Sequence, residues 1–234
     1  MGDKPSILIL GIGNILWADE GFGARELEEL QRHYKFPDNV TLMDGGTQGI
    51  YLAQYICDAD ILIVFDAVDY DLPPATLKRV EGEDVPKFLG VKKISLHQTG
   101  FQEVLVMADM MGQYPDHLLL IGVQPVELDD FGGSLRPQVR AQIQPSIEMA
   151  LEYLDKFDIT IKKREVPLPA DVTNAGAIAD INLYEAQRPP ENIACRKGDD
   201  RIVRDDDFSI QYQPVDVDQD LVSVGLDHHL EKYR

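Results

Sequence analysis

Apolar residues run without interruption over 7–10, again over 61–65 and again over 118–121, and each run ends at a glycine or a carboxylate. Short runs with no polar alternation predict strands buried on both faces, as in a parallel sheet covered by helices. Between them the apolar spacing changes to that of helices. Ala24, Leu27, Leu30 and Tyr34 predict a helix over 21–34, which Asp19 is placed to cap. Thr47 is placed to cap a second helix reaching Cys57, and Thr99 with Gln102 forms a capping-box pair opening a third, with Phe101, Val104, Leu105 and Ala108 inward. Val139, Ile143, Ile147, Leu151 and Leu154 predict a last helix over 137–157, kinked or split by Pro145. Weaker strand signals lie at 40–43, at 76–81, at 93–96 running into His97, and at 159–166.

Strand and helix therefore alternate through residue 157. That order predicts an α/β fold, three layers (α/β/α) around a twisted, mainly parallel sheet, spanning residues 1–160. Beyond it, scattered prolines, the run Asp205-Asp206-Asp207 and the loss of periodicity mark residues 161–234 as an acidic, partly ordered carboxyl-terminal extension.

Charge narrows the function. A net charge of −19 excludes nucleic acid as a partner, because phosphate binding needs a basic face. The acidity serves solubility or attracts a cation or a basic partner. Two cysteines, Cys57 and Cys195, are too few for a disulfide framework or a thiolate metal site. With no apolar run of the roughly 18–20 residues a membrane span needs, and an amino terminus passing straight into a strand, the expected location is cytoplasmic, with no membrane partner.

The first strand breaks into Gly11-Ile12-Gly13, which invites a dinucleotide-binding reading. The third glycine of that fingerprint falls on Leu16, however, and the helix that would receive the phosphates opens with Asp19 and Glu20. Repulsion removes the dinucleotide. Open α/β sheets place their chemistry past the carboxyl ends of the strands. If the strands lie parallel, Glu20, Asp66 and His97 reach one crevice. Taken singly, each has an ordinary structural explanation; together, two carboxylates and an imidazole suit a divalent transition ion. Such a site is open and labile, unlike a structural zinc site. Neither His-Glu-x-x-His nor a Gly-x-Ser-x-Gly elbow occurs.

Gly11-Ile12-Gly13-Asn14 with Asp19-Glu20-Gly21-Phe22-Gly23, then Asp44-Gly45-Gly46-Thr47-Gln48-Gly49, Phe65-Asp66-Ala67-Val68-Asp69 and Ser95-Leu96-His97-Gln98, resemble the nickel–iron hydrogenase maturation endopeptidases. The likeness covers residues 5–155 and is greatest to the type serving membrane-bound uptake hydrogenases. Val123-Gln124-Pro125 and the stretch from Asp129 to Gly133 extend it. The resemblance implies a phosphorylase/hydrolase-like fold and removal of a carboxyl-terminal peptide from the hydrogenase large-subunit precursor after nickel insertion. It implies that Glu20, Asp66 and His97 contact nickel, which the substrate carries, and that Asp44 matters for activity, the family having been grouped with aspartic peptidases. An aspartic dyad needs a second carboxyl sharing a proton with Asp44, and the sequence identifies none. A nickel checkpoint that binds without cutting, and a different small hydrolase on the same scaffold, are the alternatives to an endopeptidase.

Overall fold

The three uninterrupted apolar runs form the middle of one sheet as β1 (Ile7–Ile12), β4 (Ile61–Ala67) and β6 (His117–Val123). The computed structural model describes residues 4–89, 96–169, 172–173 and 180–188, without the side chains of 87–89 and 96–99. All of these belong to a unit of residues 1–197; residues 198–234 lie outside them. With β3 (Val40–Gly46) and β5 (Leu77–Glu81) at the edges, the strand order is β3-β1-β4-β6-β5. The first four are parallel, and β5 runs antiparallel to β6. A three-layer α/β fold with a mainly parallel sheet is what the alternation predicts.

Helices cover both faces, which is why the central strands show no polar alternation. On one face α1 (Phe22–His33) and α6 (Ile143–Asp155) pack Leu27, Leu30, Ile147 and Leu154 onto Ile9, Ile63 and Ile121. On the other, α2 (Ala53–Cys57) and α4 (Leu96–Met110) pack Ile56, Phe101 and Leu105 onto Leu10, Leu62 and Val64. No helix among the described residues is long and apolar enough to cross a membrane.

Several boundaries depart from expectation. Leu96 and His97 open α4 instead of closing a strand, while 93–95 lie outside the described residues. An apolar run as short as Ile94-Ser95-Leu96 does not distinguish strand from helix. The expected helix at 137–157 does divide, into α5 (Pro137–Arg140) and α6, but the break precedes Pro145. Pro145 is the third residue of α6, where a missing N–H removes no helical hydrogen bond. A short α3 (Asp84–Leu89) was not expected. At 159–166 only β7 (Lys162–Lys163) forms, paired with β2 (Tyr34–Lys35). Further along, α7 (Ile181–Gln187) is capped by Asp180, and Ile181 joins Phe22, Val123 and Val139 in a third apolar cluster.

The charged side of α1 is not left to solvent: Arg25, Glu26 and Glu28 are buried, with Ser146 of α6 against Glu26 and Tyr184 of α7 against Arg25. Arg25 pairs with Glu28 at 3.1 Å and lies over the Tyr184 ring. Glu26 receives a hydrogen bond from the Ser146 hydroxyl, and its other oxygen is buried with no hydrogen-bond partner. Burial holds its carboxyl well above the usual carboxylate range. A carboxyl that takes its proton more readily when folded stabilises at low pH. That contribution erodes as pH rises from the unfolded value near 4.5 toward the folded one, at up to about 1.4 kcal/mol per pH unit. Glu26→Gln is therefore expected to be more stable than wild type by a margin that grows between pH 5 and pH 8. Urea melts at the two values test this, and a constant margin would contradict a protonated Glu26.

Candidate active site at the carboxyl ends of the strands

β1 ends in a loop that turns at Trp17 into a 3₁₀ segment, Ala18–Gly21, before α1 begins. Ala18 sits at φ 40°, a left-handed conformation that an alanine adopts only when its surroundings hold it there. The turn that bears Glu20 packs against β4, the strand that carries Asp66 near its carboxyl end. Asp66 is buried at 2% exposure and pairs in register with Gly122 of β6. It follows Leu62 and Val64 on the face covered by α4. The first turns of α4 reach the same end of the sheet, where Gly100 approaches Gly49 beyond β3. The backbone of His97 therefore starts a helix on the face of Asp66; its side chain lies outside the described residues. Among the described side chains, no three of His, Cys, Asp and Glu gather closely enough to hold a metal ion.

Glu20 is partly buried. Its carboxyl is held above the ordinary range, first by desolvation and then by the negative charge of Asp129. Asp44 pairs in register with Gly11, on the opposite side of β1 from β4. It shares the sheet face of Val40 and Leu42, whereas Asp66 shares that of Leu62 and Val64. Asp44 is exposed, and its Oδ1 accepts the Gly46 N–H at 2.9 Å.

Three residues around the crevice carry roles that motif reading did not find. Gln124 accepts the N–H groups of Tyr70 and Leu72 and donates to Asp69 at 2.9 Å, fixing the loop after β4. Tyr70 lies so close to Gly122 that an added methyl there would meet its hydroxyl at 2.5 Å. Burial, and then the Asp66 charge, push the Tyr70 hydroxyl up, so it stays protonated. The third residue is Asp19. It caps no helix, since α1 starts from Gly21 without a side-chain cap. Instead it is fully buried and accepts three backbone N–H groups from the loop after β6. The only signal for these contacts was position in a loop at a strand end; the partners lie more than fifty residues away in sequence.

Residues 25–153 match the HycI family model, described as hydrogenase maturation protease. The hydrogenase expression/formation protein HupD of Thiocapsa roseopersicina is 61% identical over 203 residues, covering 87% of this chain and 92% of its own. HoxM of Azotobacter vinelandii, described in the same words, is 57% identical over 200 residues, with 85% and 95% covered. Among solved structures, the hydrogenase maturating endopeptidase HybD of Escherichia coli superposes with a TM-score of 0.65 at 38% identity, covering 68% of this chain and 97% of that one.

Proposed function

The chain belongs to the hydrogenase maturation protease family and is a peptidase, and we propose that it cleaves a carboxyl-terminal peptide from the nickel-loaded large-subunit precursor of a nickel–iron hydrogenase. The metal belongs to the substrate. In this reading Glu20, Asp66 and His97 complete the coordination of the incoming nickel and thereby register the scissile bond against the enzyme. The observation that carries it is the packing of the Glu20 turn on β4, the strand whose carboxyl end bears Asp66 on the face where α4 begins with His97. Oxygen and nitrogen donors without a thiolate hold a divalent ion loosely, which suits inspection of a metal that must remain with the hydrogenase. Held by these residues, the substrate's nickel would supply Lewis-acid polarisation of the carbonyl or of a water molecule.

Asp44 keeps the part in hydrolysis that the family resemblance implies for it. Because it lies across β1 from Asp66, on the other face of the sheet, the two carboxylates do not form a shared-proton pair in this reading. Asp44 instead acts singly, on water or on the peptide. The naming of relatives as HupD and HoxM supports a hydrogenase of the uptake type as the source of the precursor. The protease and its precursor meet in the cytoplasm.

The test uses purified precursor, with and without inserted nickel, and intact mass spectrometry. The expected result is loss of a carboxyl-terminal peptide from the nickel-loaded form only. Equal cleavage of both forms would remove nickel from the recognition step. No mass change in either would favour a checkpoint that binds without cutting.

A further inference from the structure

One side chain, Asp19, reaches both ends of the loop from 126 to 136. Asp19 Oδ2 accepts the N–H of Val126 at 2.8 Å and of Glu127 at 2.9 Å, and Oδ1 accepts that of Arg136 at 2.7 Å. The Asp19 N–H donates to the Glu127 carbonyl at 3.1 Å. A carboxylate with 0% exposure is costly to bury unless its oxygens are satisfied, and here three donors from both ends of one loop satisfy them. Around this anchor the loop closes on the turn before α1. Trp17 and Phe131 form an isolated antiparallel bridge, their rings meet edge to face at 5.2 Å, and the Gly132 N–H donates to the Leu16 carbonyl at 2.7 Å.

Asp19 thus ties together two pieces of the crevice wall. One is the turn bearing Glu20. The other is the loop bearing Asp129, whose charge acts on Glu20, and the exposed apolar side chains Val126 and Phe131. Leu16, also exposed, continues that apolar rim. We propose that Asp19 is a positioning residue, which locks the 126–136 loop to the Glu20 turn so that rim and carboxylate meet the substrate as one preformed surface. For its role in processing, this rests on the protease reading above; the locking itself does not. A preformed surface binds better than one that must be ordered at encounter, so loss of the lock falls on substrate binding.

Asp19→Asn tests it. The amide keeps the size of the side chain but turns an NH2 toward at least one backbone N–H. The expected effect is an increase of about tenfold or more in KM for the precursor, with kcat within about threefold, the scale of lost hydrogen bonds to a charged group. Trp17 is the only tryptophan in the chain, so its fluorescence reports the loop directly. Its emission is expected to shift to the red and its acrylamide quenching to rise, while far-ultraviolet circular dichroism stays unchanged. Wild-type emission and wild-type KM in the folded variant would overturn the proposal. If Asp19→Asn does not fold, amide exchange in the wild-type protein decides. The Val126, Glu127 and Arg136 protons are expected to exchange as slowly as those of the central strands, and rapid exchange would overturn the lock. Fluorescence and exchange need no precursor, so a protein that fails to cleave would refute the protease reading and leave Asp19 judged on its own measurements.

Discussion

Glu20→Ala is expected to lower the processing rate of nickel-loaded precursor by about a hundredfold or more, with the unfolding midpoint near that of wild type. Loss and retention have separate causes. The 3₁₀ turn is held by backbone contacts that alanine keeps, from the Glu20 N–H to the Trp17 carbonyl at 2.9 Å and from the Asn14 N–H to the Glu20 carbonyl at 3.1 Å. What alanine removes is the carboxylate of the turn that packs against β4, the strand of Asp66. His97→Ala is expected to lose processing in the same way, since both side chains are assigned to one metal ion. Asp66 needs the milder Asp66→Asn change, because it is buried in β4 and truncation there would add a packing defect to the lost ligand. Processing assays with intact-mass detection, alongside thermal melts, separate the two effects. Normal cleavage by both Glu20→Ala and His97→Ala would refute the nickel-contact role.

Gly23→Ala destabilises the protein by about 3 kcal/mol or more and takes activity with it. A Cβ at that position would stand 2.4 Å from the carbonyl oxygens of Ile12 and Phe65 and 2.6 Å from the Ile12 nitrogen. All three are backbone atoms of adjacent central strands, so relief requires α1 to lift from the sheet. Lifting α1 exposes Leu27 and Leu30 and drags the adjoining Glu20 turn away from Asp66. For a chain of this size the cost corresponds to a fall in Tm of roughly 10 °C. Chemical unfolding measures it, and a variant as stable as wild type would show that helix and sheet do not approach so closely.

That glycine also explains why the first motif misleads. In a dinucleotide fingerprint the third glycine follows the turn directly and lets the helix rest on the strand. Here Leu16 occupies that place, and the same close packing is achieved by Gly23 against Gly11, whose own Cβ would meet the Gly23 carbonyl at 2.2 Å. The interval between them accommodates the loop and 3₁₀ turn that present Glu20. A spacing that removes phosphate binding is thus the spacing that makes room for the acidic turn.

Much of the architecture was legible because its causes are local or compositional. Continuous apolar runs of four or five residues mark strands covered on both faces, and β1, β4 and β6 lie where those runs lie. The sheet-end positions of Glu20 and Asp66 follow from the same runs, and that of Asp44 from the weaker signal at 40–43, since parallel strands deliver their carboxyl ends to one side. Helix spacing located α1, α4 and α6 to within a few residues, but not whether Leu96 and His97 belong to a strand or to a helix.

Burial of charge and the partners of loop side chains depended on segments distant in sequence. Asp19 before an apolar-spaced helix has every local property of a cap; only the arrival of 126–136 makes it a buried anchor. Glu26 reads as the outer face of α1 until α6 brings Ser146 against it. Gln124 and Tyr70 gain their places from the meeting of β6 with the loop after β4. Hydrophobic periodicity reports how much of a segment is covered, because that burial sets which residue types a segment tolerates. It does not report which polar group lies on the other side. The sequence by itself determined the layers, the strand ends and the list of carboxylates; tertiary packing decided which of them hold the scaffold and which remain at the crevice, since a polar group's role follows from the partner that replaces its water.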